Sequence, residues 1–307
     1  MPGEREPSYR GFPMNSVEQL HRARPYPSIR VESTASGQTH WMYMHSALSP
    51  GDRPCFRPEL MQDMWRFLDS VTSHGPPQTP DGLRHVVVAS DADAFNLGGD
   101  LALFAHLIRS RDREHLLAYA RTCIDGVHHI HSGLGGDVRT IALIEGDALG
   151  GGLELALACQ TIVAEEGVDM GLPEVLFGLF PGMGAYSFLA RRVPPHLAER
   201  LILDGEIFSS DAMHAMGIVD ILVPKGHGAE AVDALIQRQQ RAPHAHIALN
   251  AVRAVAQPVT HHELMAITEL WVDTALALGD RSLRMMDRIV KAQSRRTYGV
   301  RAGAARV

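Results

Sequence analysis

The feature that most constrains this chain is the run Gly150-Gly151-Gly152, which joins the β-branched apolar segment Thr140–Glu145 (TIALIE) to an apolar helical stretch opening with Leu153-Glu154. Glycines at that junction let backbone N–H groups at the start of a helix approach a ligand oxygen without a Cβ in the way. The turn has neither the Lys-Ser/Thr ending of a phosphate loop nor the GxGxxG spacing of a dinucleotide fold, so nucleotide readings lose ground. Other strand–loop–helix units surround it. His40–Ser46 (HWMYMHS) reads as a strand, and Pro58–Val71 repeats Leu60, Met61, Met64, Trp65, Leu68 and Val71 at helical spacing. His85–Ser90 (HVVVAS) reads as a strand covered on both faces and runs into the turn-rich segment Asp91–Asp100. A helix is predicted over Leu101–Ile130 and a further strand over Thr161–Glu165. Repeated units of this kind imply an α/β fold with parallel neighbours and chemistry in the loops after strands.

The ends of the chain differ in character. Residues 1–35 are rich in Pro, Arg, Ser and Glu without periodicity and read as a flexible extension ahead of a catalytic core over 36–225. Residues 226–307 read as a helical subdomain, in which Thr260 and Glu263 could form a capping box. Leu264, Ile267, Trp271, Ala275 and Leu278 would line one face of the helix that follows.

Composition narrows the function classes. A net charge of -6 with dispersed Lys and Arg offers no basic face for nucleic acid. No apolar stretch reaches membrane-spanning length, and the N-terminus MPGEREPSYRGFP lacks a secretory core, so a cytoplasmic location is expected. Cys55, Cys123 and Cys159 contain no close pair, which argues against a disulfide framework or a thiolate zinc site. Among 17 histidines the densest cluster, His128, His129 and His131, lacks metal-ligand spacing and reads as surface or half-buried. Neither a metal nor a cofactor is expected.

Two glutamates stand out. Taken alone, Glu154 in the first turn of a helix is accounted for by the helix dipole. Glu174 follows Leu172-Pro173 among Val175, Leu176 and Phe177, and is either a carboxylate of raised pKa or a buried ion-pair partner.

Read together, AFNLGGD (Ala94–Asp100), EGDALGGGLELALAC (Glu145–Cys159) and MGLPEVLFGLFPGMGA (Met170–Ala185) resemble the crotonase (enoyl-CoA hydratase) superfamily. The resemblance runs from about His40 to Pro224 and includes LILDGEIFSSDAMHAMGIVDILVP (Leu201–Pro224), where Ser209 or Ser210 would cap a short helix that Gly217 ends. It implies a crotonase-like ββα spiral core with a C-terminal helical subdomain, assembled as a homotrimer or hexamer. It also implies that Glu154 and Glu174 act as the acid/base pair and that backbone N–H groups of Leu97 and Gly151 form an oxyanion hole. Gly98, Gly150, Leu172 and Trp271 would contact substrate, and Met170, Val175 and Leu176 are further candidates for the acyl channel.

The segments FNLGGDLALF, GLPEVLFGLFPGMGAYSFLARR and ITELWVDTALALGDRSLRMMDRIVKAQSRR are similar to the diffusible signal factor synthases, a quorum-sensing branch of that superfamily. This implies dehydration of a 3-hydroxyacyl thioester on acyl carrier protein and hydrolysis to a free cis-2-unsaturated fatty acid, with a sensor-kinase receiver domain as a further partner. In the scheme taken from sequence, Glu174 is the base at the α-carbon and Glu154 protonates the departing hydroxyl, with the reverse assignment equally open to the residues. One alternative is an enoyl-CoA hydratase or isomerase using the same glutamates. Another is a non-catalytic binding protein on the same scaffold. The loop SALSPGDRPCFRP lacks the short asparagine-containing turn of general hydratases, which weakens any transfer of CoA adenosine contacts.

Overall fold

A computed structural model describes residues 25–49, 51–73 and 82–304, with side chains through residue 294. The chain opens with the antiparallel pair β1 (Arg30–Ser33) and β2 (Thr39–Met44), then α1 (Pro58–Ser73). A repeating course follows, in which each turn lays one strand in a large sheet, one in a small sheet, and then forms a helix. The first turn is β3 (Arg84–Ser90), β4 (Ala94–Asn96), α2 (Leu101–Arg109) and α3 (Arg113–His131). The second is β5 (Val138–Ile144), β6 (Asp147–Leu149) and α4 (Gly151–Ala158). The third is β7 (Thr161–Glu165), β8 (Asp169–Gly171) and a 3-10 helix, Pro173–Phe177. Next come α5 (Ala185–Leu189), α6 (Pro195–Asp204), β9 (Ile207–Ser209), α7 (Ser210–Ala215) and β10 (Ile221–Val223). The chain continues through α8 (Gly228–Gln239), α9 (Pro243–Ala256), α10 (His261–Leu276) and α11 (Asp280–Ala304).

The large sheet has the order β1-β2-β3-β5-β7-β10 and is parallel apart from its first pair. The small sheet has the order β4-β6-β8-β9 and is parallel apart from its last pair. Alternation in the central strands explains the layering. Val86, Val88, Ala142 and Ile144 enter the main core, whereas Val87, Ala89, Ile141 and Leu143 meet Val232, Leu235 and Ile236 of α8 on the other face. Because β4, β6 and β8 are neighbours, with Asn96 opposite Ala148 and Leu149 opposite Gly171, the loops that leave them open side by side. These are the three segments singled out from sequence.

Some expectations change. The proposed 1–35 extension is ordered at its end, because Val31 and its neighbours pair with β2 through a turn at Gly37 (φ 67°); residues 1–24 lie outside the described residues. The single helix over Leu101–Ile130 is two. Arg111 takes a left-handed φ of 55°, and the Asp112 side chain restarts the helix by accepting the His115 N–H. Ser209 caps α7 by accepting from Ala212, and Gly217 takes φ 79° beyond its end. Thr260 caps α10 through the Glu263 N–H, but the Glu263 carboxylate pairs with Arg191 instead of closing a reciprocal box. The buried stripe of α10 is Leu264, Thr268, Trp271, Val272 and Ala275, with Ile267 and Leu278 only half-buried.

The C-terminal helices fold back onto the core: α8 covers the large sheet, α10 packs along α3, and α11 spans α2 and the 3-10 helix. Cys55, Cys123 and Cys159 are buried and unbridged. His128, His129 and His131 are half-buried. Among the described residues no helix is long and apolar enough to cross a membrane, and no group of three potential metal ligands converges.

Candidate active site

Glu154 and Glu174 line one cavity of about 400 Å³ together with Leu97, Gly98, Gly150 and Gly151. Glu154 enters from the first turn of α4, and its Oε1 accepts the Met183 N–H at 2.7 Å and the Ala185 N–H at 3.0 Å. Burial raises its pKa to about 7, against the pull of those two donors, which favour the charged form. Glu174 keeps part of its surface exposed, but its Oε2 is enclosed and has no hydrogen-bond partner. Burial first, and the nearby charge of Glu154 second, push Glu174 up to about 8. The two carboxyls therefore titrate as a pair that retains one proton near neutral pH. On Glu174 the proton costs least, because Glu154 has donors for its negative charge and the Glu174 Oε2 has none.

The glycines are needed for different reasons. Gly150 has φ 53° and ψ -126°, and donates its N–H to the Gly171 carbonyl at 2.8 Å. Gly151 is the first residue of α4, so its N–H belongs to the set that a helix leaves without an internal acceptor. Gly98 has φ 91°, and a Cβ there would sit 3.0 Å from the Gly151 nitrogen. Its own N–H is taken by the Asn96 Oδ1 at 2.8 Å.

Leu97 lines the cavity, but its N–H donates to the Pro54 carbonyl at 2.8 Å. The cause is a short parallel match between two segments, in which Phe56 bridges Gly99 and donates to the Gly98 carbonyl at 2.8 Å. Of the two expected oxyanion donors, only Gly151 is free of a competing acceptor of this kind.

The acyl-channel candidates divide. Trp271 and Leu176 line the cavity. Leu172 does not: it points to the opposite side of the small sheet, among Leu153, Leu189 and Leu201, because side chains alternate where β8 ends. Met170 and Val175 are likewise absent from the cavity wall.

Much of the wall was not legible in sequence. Phe104, Tyr119, Ala120 and Cys123 arrive from α2 and α3, and Ile289 from α11. The backbone donors at Met183 and Ala185 were also missed, although PGMGA carries their signal. A Cβ at Gly182 would lie 2.4 Å from the Trp271 ring, so that glycine is what admits the indole.

Comparison with known proteins agrees with this architecture. The chain is 32% identical over 175 residues to a probable enoyl-CoA hydratase of Bacillus subtilis, a match covering 51% of this chain and 66% of that protein. It is 45% identical over 86 residues to a peroxisomal fatty acid beta-oxidation multifunctional protein of Arabidopsis thaliana, covering 28% of this chain and 12% of the plant protein. Both matches fall short of two thirds of the relative's length. Among solved structures, DspI of Pseudomonas aeruginosa superimposes with a TM-score of 0.62 at 25% identity, covering 75% of this chain and 88% of that one. An enoyl-CoA hydratase from Bacillus halodurans gives 0.68 at 17% identity, over 86% and 99% of the two chains, and shows the shared fold alone. Residues 54–275 match the enoyl-CoA hydratase/isomerase family, and the chain belongs to that family, within the crotonase superfamily.

Proposed function

We propose that this enzyme dehydrates a 3-hydroxyacyl thioester carried by acyl carrier protein and then hydrolyses the thioester, releasing a cis-2-unsaturated fatty acid signal. The observation that carries the reading is the placement of two carboxyls, Glu154 and Glu174, on the same apolar cavity as the Gly151 amide. The segment resemblance to signal synthases and the structural likeness to DspI support the narrower assignment.

The hydrogen bonds favour the reverse of the acid/base order taken from sequence. Ionised Glu154 takes the α-proton while Glu174 gives its proton to the departing hydroxyl, and the enolate oxygen meets the Gly151 N–H. Leu97 joins that hole once its N–H leaves the Pro54 carbonyl. Dehydration leaves Glu154 protonated and Glu174 ionised. Glu174 can then draw a proton from water as the water oxygen attacks the thioester carbon, and the tetrahedral oxyanion collapses to free acid and a thiolate that takes the proton held by Glu154, which restores the starting pair. Gly98 and Gly150 shape the floor and Trp271 packs against the acyl chain.

A second reading, hydration or isomerisation of an enoyl-CoA, uses the same pair and is favoured by the family match and the Bacillus subtilis relative. The third is a catalytically silent binding protein, and a receiver-domain partner is compatible with either catalytic reading. Leu249, Val252 and Val255 are exposed on α9, an apolar face that supports self-association, and the trimer or hexamer rests on the family resemblance alone. A cytoplasmic location goes with acyl carrier protein as donor.

Mass spectrometry of acids released from 3-hydroxyacyl carrier protein, beside the matching acyl-CoA, tests the proposal. Free cis-2-enoic acid from the carrier-protein substrate supports it. Conversion of acyl-CoA to a bound trans product without release overturns it in favour of the hydratase reading.

A further inference from the structure

We propose that Arg53 is a positioning residue of this site, setting the oxyanion loop Leu97–Asp100 by tying it to the C-terminal helix that walls the cavity. The inference rests on the thioester chemistry proposed above. Arg53 is only 9% exposed. Its Nη2 donates to the Asp100 Oδ1 at 2.8 Å and its Nη1 to the Gln293 Oε1 at 3.2 Å. Asp100 ends the loop, and the same Oδ1 caps α2 by accepting from Ala102 and Leu103 at 3.1 and 3.3 Å. Gln293 lies on α11 and lines the cavity.

The residues after Arg53 stitch the loop from the same side. The Pro54 carbonyl holds the Leu97 N–H, and Phe56 donates to Gly98, each at 2.8 Å. The Tyr119 hydroxyl donates to the Phe56 carbonyl at 2.5 Å and accepts the Asp100 N–H at 3.2 Å. For the Leu97 N–H to act as an oxyanion donor, it has to exchange the Pro54 carbonyl for substrate while the far end of the loop stays in place. Arg53 is the charge-assisted tie at that far end, with one guanidinium nitrogen on Asp100 and the other on Gln293, so that the planar group spans loop and helix. A second ion pair, Arg109 with Asp287 at 2.7 Å, also joins α2 to α11. Seating of α11 and placement of the oxyanion donors are thereby linked. Loss of the tie should weaken transition-state stabilisation more than ground-state binding, because the donors matter most when charge builds on the oxygen.

The test compares Arg53→Met, Arg53→Lys, Gln293→Met and the Arg53→Met/Gln293→Met double variant on a 3-hydroxyacyl thioester, with amide hydrogen exchange of residues 95–101 in the unliganded protein. Expected for Arg53→Met is a fall in kcat of roughly tenfold or more with KM changed less than about threefold, and faster exchange in that segment. Gln293→Met should move both in the same direction, Arg53→Lys should recover part of the loss, and the double variant should be no worse than Arg53→Met, since both break one link. Unchanged kcat and exchange, or additive losses, would overturn the proposal. If Arg53→Met does not fold, Gln293→Met decides by the same two readouts. If the wild-type protein turns over no acyl thioester, the proposed function fails on its own, and exchange in the 95–101 segment still decides whether Arg53 sets the loop.

Discussion

Gly150 leaves the space that Glu174 occupies: a Cβ at position 150 would fall 2.5 Å from the Glu174 Oε1. The backbone there is also left-handed, at φ 53°. Gly150→Ala should therefore cost about 1–3 kcal/mol of stability and abolish most turnover by displacing the carboxyl. Gly167→Ala is the control, with φ 77° and nothing within 4 Å of the added methyl. It should show a backbone penalty in a thermal melt and ordinary kcat.

Replacing either carboxyl by its amide leaves the cavity's shape and removes the proton-transfer role proposed for it. Glu154→Gln and Glu174→Gln should each lower kcat about 10²–10⁴-fold, measured on the same thioester. Full dehydration by either variant would remove that residue from the mechanism.

The pair also predicts a pH profile. In the proposed mechanism one carboxyl is charged and one protonated, so kcat/KM should rise as the first proton leaves and fall as the second does. With Glu154 raised to about 7 and Glu174 to about 8, the single-proton state is centred near neutral to mildly alkaline pH. A flat profile would contradict the shared proton.

Stability should run the other way. Both pKa values are raised in the folded state, so the folded protein holds extra protons between the ordinary glutamate value, 4.5, and about 8. Folding stability is fully present below that window and declines as pH rises through it. Above it, Glu174→Gln should melt higher than wild type, by roughly 2–4 °C for each kcal/mol regained, while the two should converge at acidic pH.

Ala120 is a small residue of α3 in the wall of the apolar cavity that Trp271 also lines. Ala120→Leu should raise KM for long acyl chains about tenfold and leave short ones nearly unaffected, as a series of chain lengths would reveal.

The local units of the fold were readable because each depends on near neighbours. β3 and β5 each carry an apolar run, residues 86–89 and 141–144, and the glycine run before Leu153 announces a strand-to-helix turn. The break at Arg111 was not readable, since apolar residues continue at helical spacing on both sides and the stop lies in one left-handed residue and the Asp112 cap. β1 escaped for a related reason. Arg30 and Glu32 look like an extension, but the strand is held by pairing with β2 and by the ion pair of Arg30 with Asp91.

Sequence by itself determined which residues could do the chemistry: two carboxylates and a glycine-led helix, placed in loops that follow strands. The tertiary structure decided how they work, because burial, partners and direction depend on residues far along the chain. It gave Glu154 two backbone donors from Met183 and Ala185, left the Glu174 Oε2 without one, turned Leu172 into the core, and lent the Leu97 N–H to Pro54. A carboxylate's proton affinity and an amide's availability are set by their surroundings, and those surroundings exist only once the two sheets and the returning helices have closed around them.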